Sequence, residues 1–302
     1  MAMSRRSCLS VPGSSEKMIS KAQGLPADEF VIDLEDSVPP EGKDEARATA
    51  AAAVRDGSWE GRSVAVRVNA ASTPWGARDV AHLVEEAGEA LTCLVVPKVE
   101  SAEELRALDR MLDGEEERAG RERPVGLQAL IETAAGLCAA HEIAGASDRL
   151  LALIIGYADL AASLGRQMAA DYPGDRWHWV RETVLVAARA NGRQAIDGPH
   201  LEVADLEGLD VEARRAYALG FDGKWALHPS QVEPLNEIFS PRQEDVDRAG
   251  AVLDALAEGE REGGRGAVML DGEMIDEASR KLAVQVVARA KASGMSPRAG
   301  SS

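Results

Sequence analysis

At 302 residues the chain is long enough for one α/β barrel of about 250 residues with an extension, or for two domains, and its 45% hydrophobic and 28% charged residues exclude the disordered and fibrous classes. Fifty-one acidic residues against 34 lysines and arginines leave a formal net charge of -17, which repels a phosphate backbone and excludes general nucleic-acid binding. No apolar run approaches the roughly 20 residues that span a bilayer, and the opening MAMSRRSCLSVPG lacks the apolar stretch of a signal peptide, so a soluble, cytoplasmic protein with no membrane partner is expected.

The first segment, SVPGSSEKMISK, reads as strand, turn and helix start, with Ser14 or Ser15 as N-cap and Lys17 and Lys21 one helical turn apart. Two ammonium groups beside the free amides of a helix N-terminus suit a phosphate or pyrophosphate; two solvated lysines would give the same pattern. Short β-type apolar runs lie at 8–11, 30–34, 64–68, 93–97, 125–131, 151–155, 194–196 and 225–227. Between them Ala-, Glu- and Arg-rich stretches with helical periodicity cover 44–54, 78–90, 102–112, 134–144 and 181–191. Eight βα units predict a closed (β/α)8 TIM barrel. A doubly wound open sheet is the alternative, but no G-x-G-x-x-G follows the first strand and no G-x-x-x-x-G-K-[ST] occurs.

The charged, breaker-rich stretch 112–124 reads as a surface loop. Past the eighth strand come a helical pattern at 243–260, a turn at Gly263, Gly264 and Gly266, the apolar piece AVMLDG and a final helix at 276–292. The expected organisation is therefore a barrel over 1–235, a C-terminal helical extension or lid over 236–295 and a disordered tail over 296–302. Cys8, Cys93 and Cys138 are far apart, each in an apolar run without a CxxC, and are expected to be buried free thiols.

A (β/α)8 barrel carries its chemistry at the C-terminal ends of the strands. Those ends hold Asp33, Glu35, Asp36, Arg67, Asn69, Lys98, Glu132, Asp159, Asp197 and His228. Glu132 and Asp159 could place carboxylate oxygens on one hard cation such as Mg²⁺, which needs only one or two protein carboxylates. Each equally suits a cap on the helix that follows it. Arg67, in VAVRV, points toward the barrel mouth, where a guanidinium clamps a carboxylate or polarises a carbonyl; an ion pair with Glu35 or Asp36 is compatible with that role. His228, directly before proline, reads as a structural hydrogen-bonding group, and His82, His141, His178 and His200 show no ligand spacing. No G-x-S-x-G elbow supports serine hydrolysis.

The ordered segments SCLSVPGSSEKM, VIDLEDSVPPEGKDEAR, VAVRVN, LVVPKVES, LIETAAGL, IGYADLAASLG, QAIDGP, GFDGKWALHPSQV, FSP and LDGEMID resemble the citrate lyase β-subunit family, grouped with the HpcH/HpaI aldolases and with malyl-CoA, β-methylmalyl-CoA and citramalyl-CoA lyases. The resemblance runs from about residue 6 to 292. It implies a Mg²⁺-dependent enzyme that makes or breaks a carbon-carbon bond beside a coenzyme A thioester. On the matching motifs, Glu132 and Asp159 would be the metal ligands, with Glu35 and Asp36 standing behind them. Arg67 would hold the acyl oxygens, and Lys17 and Lys21 would face the CoA phosphates with Ser10 beside them. Ala226 and Leu227 would offer backbone to the nucleotide end. Asp276, on a lid that reaches a neighbouring subunit, would act as acid and base, which implies a homo-oligomer, a trimer or hexamer.

Two departures stand out: Ser10 replaces an aromatic residue of many relatives, and Ala158 replaces an acidic one directly before Asp159. Other readings on the same resemblance are a citrate lyase β subunit acting on a citryl-carrier thioester and a malyl-CoA thioesterase or malate-synthase-like activity. The non-enzymatic reading is a CoA-ester-binding regulator.

Overall fold

The eight apolar runs become eight parallel strands because each alternates or runs continuously with aliphatic side chains that are buried on both faces. In the computed structural model, which describes residues 3–59, 62–167, 174–263 and 266–298, they are β1 (Ser7–Pro12), β2 (Glu29–Asp33), β3 (Ser63–Arg67), β4 (Cys93–Val96), β5 (Gly126–Ile131), β6 (Leu150–Ile155), β7 (Gln194–Asp197) and β8 (Gly223–Ala226). They pair in sequence order and close into a barrel through β1 and β8. The chain is a (β/α)8 TIM barrel.

The helices of the barrel are α1 (Glu16–Ala22), α2 (Lys43–Asp56), α3 (Gly76–Glu86), α4 (Ala102–Ala119), α5 (Ala134–Cys138), α6 (Ala140–Ala144), α7 (Tyr157–Ser163), α8 (His178–Ala190), α9 (Leu206–Leu219) and α10 (Val232–Ile238). The chain divides into two compact units at Asn236, the first running Arg5–Asn236 and the second holding Glu237–Ser302 with Met1–Ser4.

Three of the expected elements differ. The 112–124 stretch is not a loop: α4 continues to Ala119, because Leu112 and Glu116 are buried on its inner face, and Gly120, at φ 66°, ends it in the left-handed conformation. Glu116 accepts from Val125 N at 2.6 Å and from Arg149 Nη1 at 2.7 Å, so charge in this segment is structural rather than a sign of solvent. The helix expected over 134–144 is two, broken at Ala139 (φ −95°, ψ 9°), with Ile143 and Ala144 buried in the second piece. That break also leaves Cys138 exposed, whereas Cys8 and Cys93 are buried as expected. The helix expected over 78–90 ends at Glu86, and Gly88, at φ 56°, starts a short 3₁₀ turn.

The barrel interior is filled by Cys8, Val31, Ala65, Cys93, Val95, Leu130, Ile154, Ile196 and Trp225. Its floor is polar around Glu29, which is 0% exposed. Glu29 accepts from Arg5 Nε at 2.8 Å, Ser63 Oγ at 2.7 Å and Gln128 Nε2 at 2.9 Å, and Arg5 also reaches Gln194.

The second unit contains α11 (Gln243–Gly263), α12 (Glu277–Ala292) and a hairpin of β9 (Val268–Leu270) and β10 (Glu273–Ile275) that the sequence pattern showed only as an apolar piece. Its two-residue turn is Asp271-Gly272, both at positive φ (52° and 84°), the conformation that suits the twist of a tight hairpin. Val252, Leu256, Ile275 and Ala283 form its small core. Gly264, in the expected glycine turn, lies outside the described residues, as does 299–302 of the expected tail; Arg298 N donates to Asp247 Oδ1 at 2.8 Å. Among the described residues no helix is long and apolar enough to cross a membrane.

Removing one side of a buried ion pair leaves the other charge uncompensated, a loss of about 3–5 kcal/mol. Glu29→Ala is therefore expected to lower stability by about that amount in urea denaturation, and a loss under about 1 kcal/mol would show that the floor does not depend on this carboxylate.

Candidate active site

At the carboxyl ends of the strands, β2 and β3 place Asp33 and Arg67 in register. Arg67 Nε and Nη2 donate to the two Asp33 oxygens at 2.6 and 2.7 Å, a bidentate fork. Asp33 also accepts from Glu35 N at 2.9 Å and Ser37 N at 3.1 Å, which fixes the loop after β2. Burial alone would raise the Asp33 carboxyl, but Arg67 and the hydrogen bonds from Ser37 and Glu35 outweigh it and hold it below the usual carboxylate range. Arg67 Nη1 lies 3.0 Å from Glu35 Oε2 and 3.5 Å from Asp36 Oδ2, and its guanidinium carbon is 5.5 Å from the Trp225 ring centroid. The sequence pointed to Glu35 or Asp36 as the partner of Arg67; the stronger one is Asp33, a strand residue whose pairing depends on register.

Lys98, just past β4, has φ 53°, a left-handed conformation rare outside glycine. This turns its N–H onto Glu132 Oε1 at 2.8 Å while its side chain runs into the mouth, where Nζ reaches Glu35 Oε1 at 2.6 Å and lies 3.9 Å from Asp36 and from Asp159. Lys43, at the start of α2, donates Nζ to the carbonyls of Leu34 and Glu35 at 2.8 and 2.7 Å and so pins the same loop from behind.

Glu132 follows β5 and is 2% exposed. It does not cap α5: that role falls to Thr133, whose Oγ1 accepts from Gly136 N at 3.0 Å. Asp159 sits inside the first turn of α7, where it takes no capping hydrogen bond, and its side chain is 39% exposed. Gly156, at the turn from β6 into α7, passes so close that a Cβ there would collide with Glu132 Oε2 and stand 2.6 Å from the Glu132 Cβ. Only glycine leaves the carboxylate its place.

Burial first, then the charges of Glu35 and Asp159, push the Glu132 carboxyl up to about 7. Glu35 is also raised by its burial, despite Arg67 and Lys98. Its Oε2 is buried without a hydrogen-bond partner, the 3.0 Å approach of Arg67 Nη1 lacking the alignment of one. Five carboxylates (Asp33, Glu35, Asp36, Glu132 and Asp159) thus meet three cations (Arg67, Lys98 and Lys43). An excess of acidic oxygen and a raised Glu132 fit a hard divalent cation. Among the described residues no three His, Cys, Asp or Glu side chains are grouped to hold one by themselves, so Glu132 and Asp159 would need water or substrate oxygens to complete it. A cavity of about 560 Å³ opens beside this cluster, lined in part by Val68, Asn69, Val80, Lys98, Leu108 and Thr133.

The other sequence-selected residues lie as follows. Ser10 is half-buried on β1, and Lys17 and Lys21 are exposed on α1, which Ser15 caps. Ala226 is the buried end of β8; Leu227 gives its N–H to Gln231 Oε1 at 2.8 Å, so its carbonyl is the backbone group left to offer. His228 Nδ1 accepts from Ser230 N at 3.2 Å and caps a short 3₁₀ turn. Asp197 is structural: fully buried, it meets Lys224 Nζ at 2.6 Å, Arg181 Nε at 3.3 Å and the Tyr157 hydroxyl. Asp276, in the second unit, is the N-cap of α12, where its Oδ1 accepts from Ala278 N at 2.9 Å and Ser279 N at 3.2 Å.

Residues 6–229 match the HpcH/HpaI aldolase/citrate lyase family. The chain is 37% identical over 295 residues to an L-malyl-CoA/beta-methylmalyl-CoA lyase of Cereibacter sphaeroides, covering 93% of this chain and 92% of that one. It is 35% identical over 291 residues to a (3S)-malyl-CoA thioesterase of the same organism, covering 95% of each. Its fold is similar to that of CitE from Mycobacterium tuberculosis in complex with magnesium, acetoacetate and coenzyme A, with a TM-score of 0.74 and 33% identity over 96% of this chain and 100% of that one.

A carboxyl raised by folding keeps a proton that the unfolded chain has released, so the Glu132 contribution to stability falls as pH rises from the ordinary 4.5 through about 7. Glu132→Gln removes that ionisation. In metal-free calorimetry the melting temperature of this variant is expected to gain on wild type between about pH 5 and about pH 8; a constant difference would place the ionisation elsewhere.

Proposed function

The chain belongs to the HpcH/HpaI aldolase/citrate lyase family, and from that premise we propose that it is a Mg²⁺-dependent carbon-carbon lyase. It cleaves a 3-hydroxyacyl-CoA thioester of the malyl-CoA, β-methylmalyl-CoA or citramalyl-CoA type into an acyl-CoA and a 2-oxo acid. The observation that carries this reading is the barrel-mouth cluster itself: a buried, raised Glu132 beside Asp159, facing an arginine fixed by Asp33, in a chain similar along almost its whole length to a malyl-CoA lyase.

Glu132 and Asp159 would hold the Mg²⁺, which when bound supplies Lewis-acid polarisation and orientation of the substrate's hydroxyl and carboxylate oxygens. As the hydroxyl proton leaves to water in the mouth, breaking the carbon-carbon bond gives the 2-oxo acid carbonyl and an enolate of the acyl-CoA, and Arg67 stabilises the charge that develops on its oxygen. Because Asp33 already fixes the guanidinium, little reorganisation accompanies that step. Glu35 and Asp36 hold Arg67 and Lys98 in place from the loop behind. Asp276, contributed by the lid of a neighbouring subunit, protonates the enolate carbon, and abstracts that proton in the synthetic direction. Lys17 and Lys21 take the CoA phosphates with Ser10 beside them, and Ala226 and Leu227 present backbone to the nucleotide. The working form is a homo-oligomer, a trimer or hexamer, in the cytoplasm.

A second reading, hydrolysis of malyl-CoA at the same site, is favoured by the similarity to a (3S)-malyl-CoA thioesterase. Mass spectrometry separates the two after incubation with Mg²⁺ and either malyl-CoA or citramalyl-CoA, with an EDTA control. Metal-dependent acetyl-CoA with glyoxylate or pyruvate supports the lyase; free CoA with intact hydroxy acid supports hydrolysis. Asp276→Ala is expected to lose turnover by about a hundredfold or more while keeping Mg²⁺ and CoA binding, and undiminished turnover would remove Asp276 from the chemistry.

A further inference from the structure

Lys98 is the point where the cluster is tied together. Through Nζ or its backbone N–H it lies within 4 Å of four of the five carboxylates: Glu35 at 2.6 Å, Glu132 at 2.8 Å, and Asp36 and Asp159 at 3.9 Å each. The other two cations are more rigidly held. Arg67 is forked onto Asp33, and Lys43 is held by two backbone carbonyls. Lys98 differs from both: its side chain is 35% exposed, and its compact ammonium on a flexible stem can shift without disturbing a bidentate geometry. Its backbone is the opposite, fixed at φ 53° in a conformation that an L-residue keeps only where the surroundings impose it, and that conformation is what aims the N–H at Glu132.

We propose that Lys98 is the internal counterion of the barrel-mouth carboxylates, a positioning residue whose ammonium gives way to the divalent cation at Asp159 and so sets how tightly that cation is held. An ammonium and a divalent ion compete for the Asp159 oxygens, and a positive charge left nearby weakens the ion's binding further. The backbone N–H, which stays in place during the exchange, keeps Glu132 Oε1 oriented. A site of this kind keeps a countercharge near Asp159 in either state and releases its metal more readily than a bare carboxylate pair. The inference rests on Glu132 and Asp159 being the metal ligands.

Mn²⁺ binding to the full-length protein, followed by electron paramagnetic resonance without any substrate, tests it. Lys98→Met removes the charge, and Lys98→Gly does so while retaining the left-handed backbone. Both are expected to bind Mn²⁺ about tenfold more tightly than wild type, whereas Lys98→Arg, which keeps the charge, is expected to stay within about twofold. A second measurement uses wild type alone: acetic anhydride labelling of Lys98, mapped by peptide mass spectrometry, is expected to run several-fold faster with Mn²⁺ because the bound ion repels the side chain from Asp159 toward solvent. Unchanged or weaker Mn²⁺ binding in the Met and Gly variants, or labelling that Mn²⁺ leaves unchanged or slows, overturns the counterion. Failure of the ligand assignment looks different: wild type binds no Mn²⁺, or Glu132→Ala binds it as well as wild type does, and the inference then falls with it.

Discussion

Five carboxylates at one end of a parallel barrel repel one another strongly in a partly dehydrated mouth, and the arrangement persists because cations are interleaved among them. The Asp33–Arg67 fork is the fixed member of that arrangement. It is set by strand register, since the two residues are paired on β2 and β3, and the Glu35 and Ser37 amides that bind Asp33 shape the loop carrying Glu35 and Asp36. From that loop the charge pattern passes to Lys98, and through the Lys98 backbone to Glu132.

The same solution appears at other buried acids. Glu29 on the floor is met by Arg5, and Asp197 at the end of β7 by Lys224 and Arg181. Glu132 is handled differently, because its near donor is a backbone N–H rather than a cationic side chain. That difference separates an acid used to hold the fold from one left able to take a cation, and it explains why the Glu132 carboxyl is raised to about 7 whereas Asp197 is lowered.

Much of the architecture is legible in the sequence, because strand periodicity, strand count and the missing phosphate-loop motifs depend only on local pattern. The positions of Arg67, Glu132 and Asp159 at the carboxyl ends of β3, β5 and β6 are also legible, as polar residues within or shortly after apolar runs. What escapes is whatever depends on geometry across elements. The pairing of Arg67 with Asp33 rather than chiefly with Glu35 or Asp36 is a matter of register, and the use of Asp197 as a buried ion-pair partner cannot be told from its position at a strand end. The left-handed backbone that gives Lys98 its place leaves no mark in the sequence, because the residue there is not glycine. The need for glycine at 156 arises from the neighbouring Glu132, 24 positions away in the chain. The continuation of α4 past Leu112 is hidden in a densely charged stretch, because Glu116 is buried against Arg149.

The closed floor bears on traffic through the site. Glu29, Ser63 and Gln128 are all 0% exposed and Arg5 is 4% exposed, with packed aliphatic side chains above them, so the barrel is sealed at that end. Among the described residues the floor is closed, so substrate, cation and solvent share the mouth, and each must enter and leave past the others at that one end.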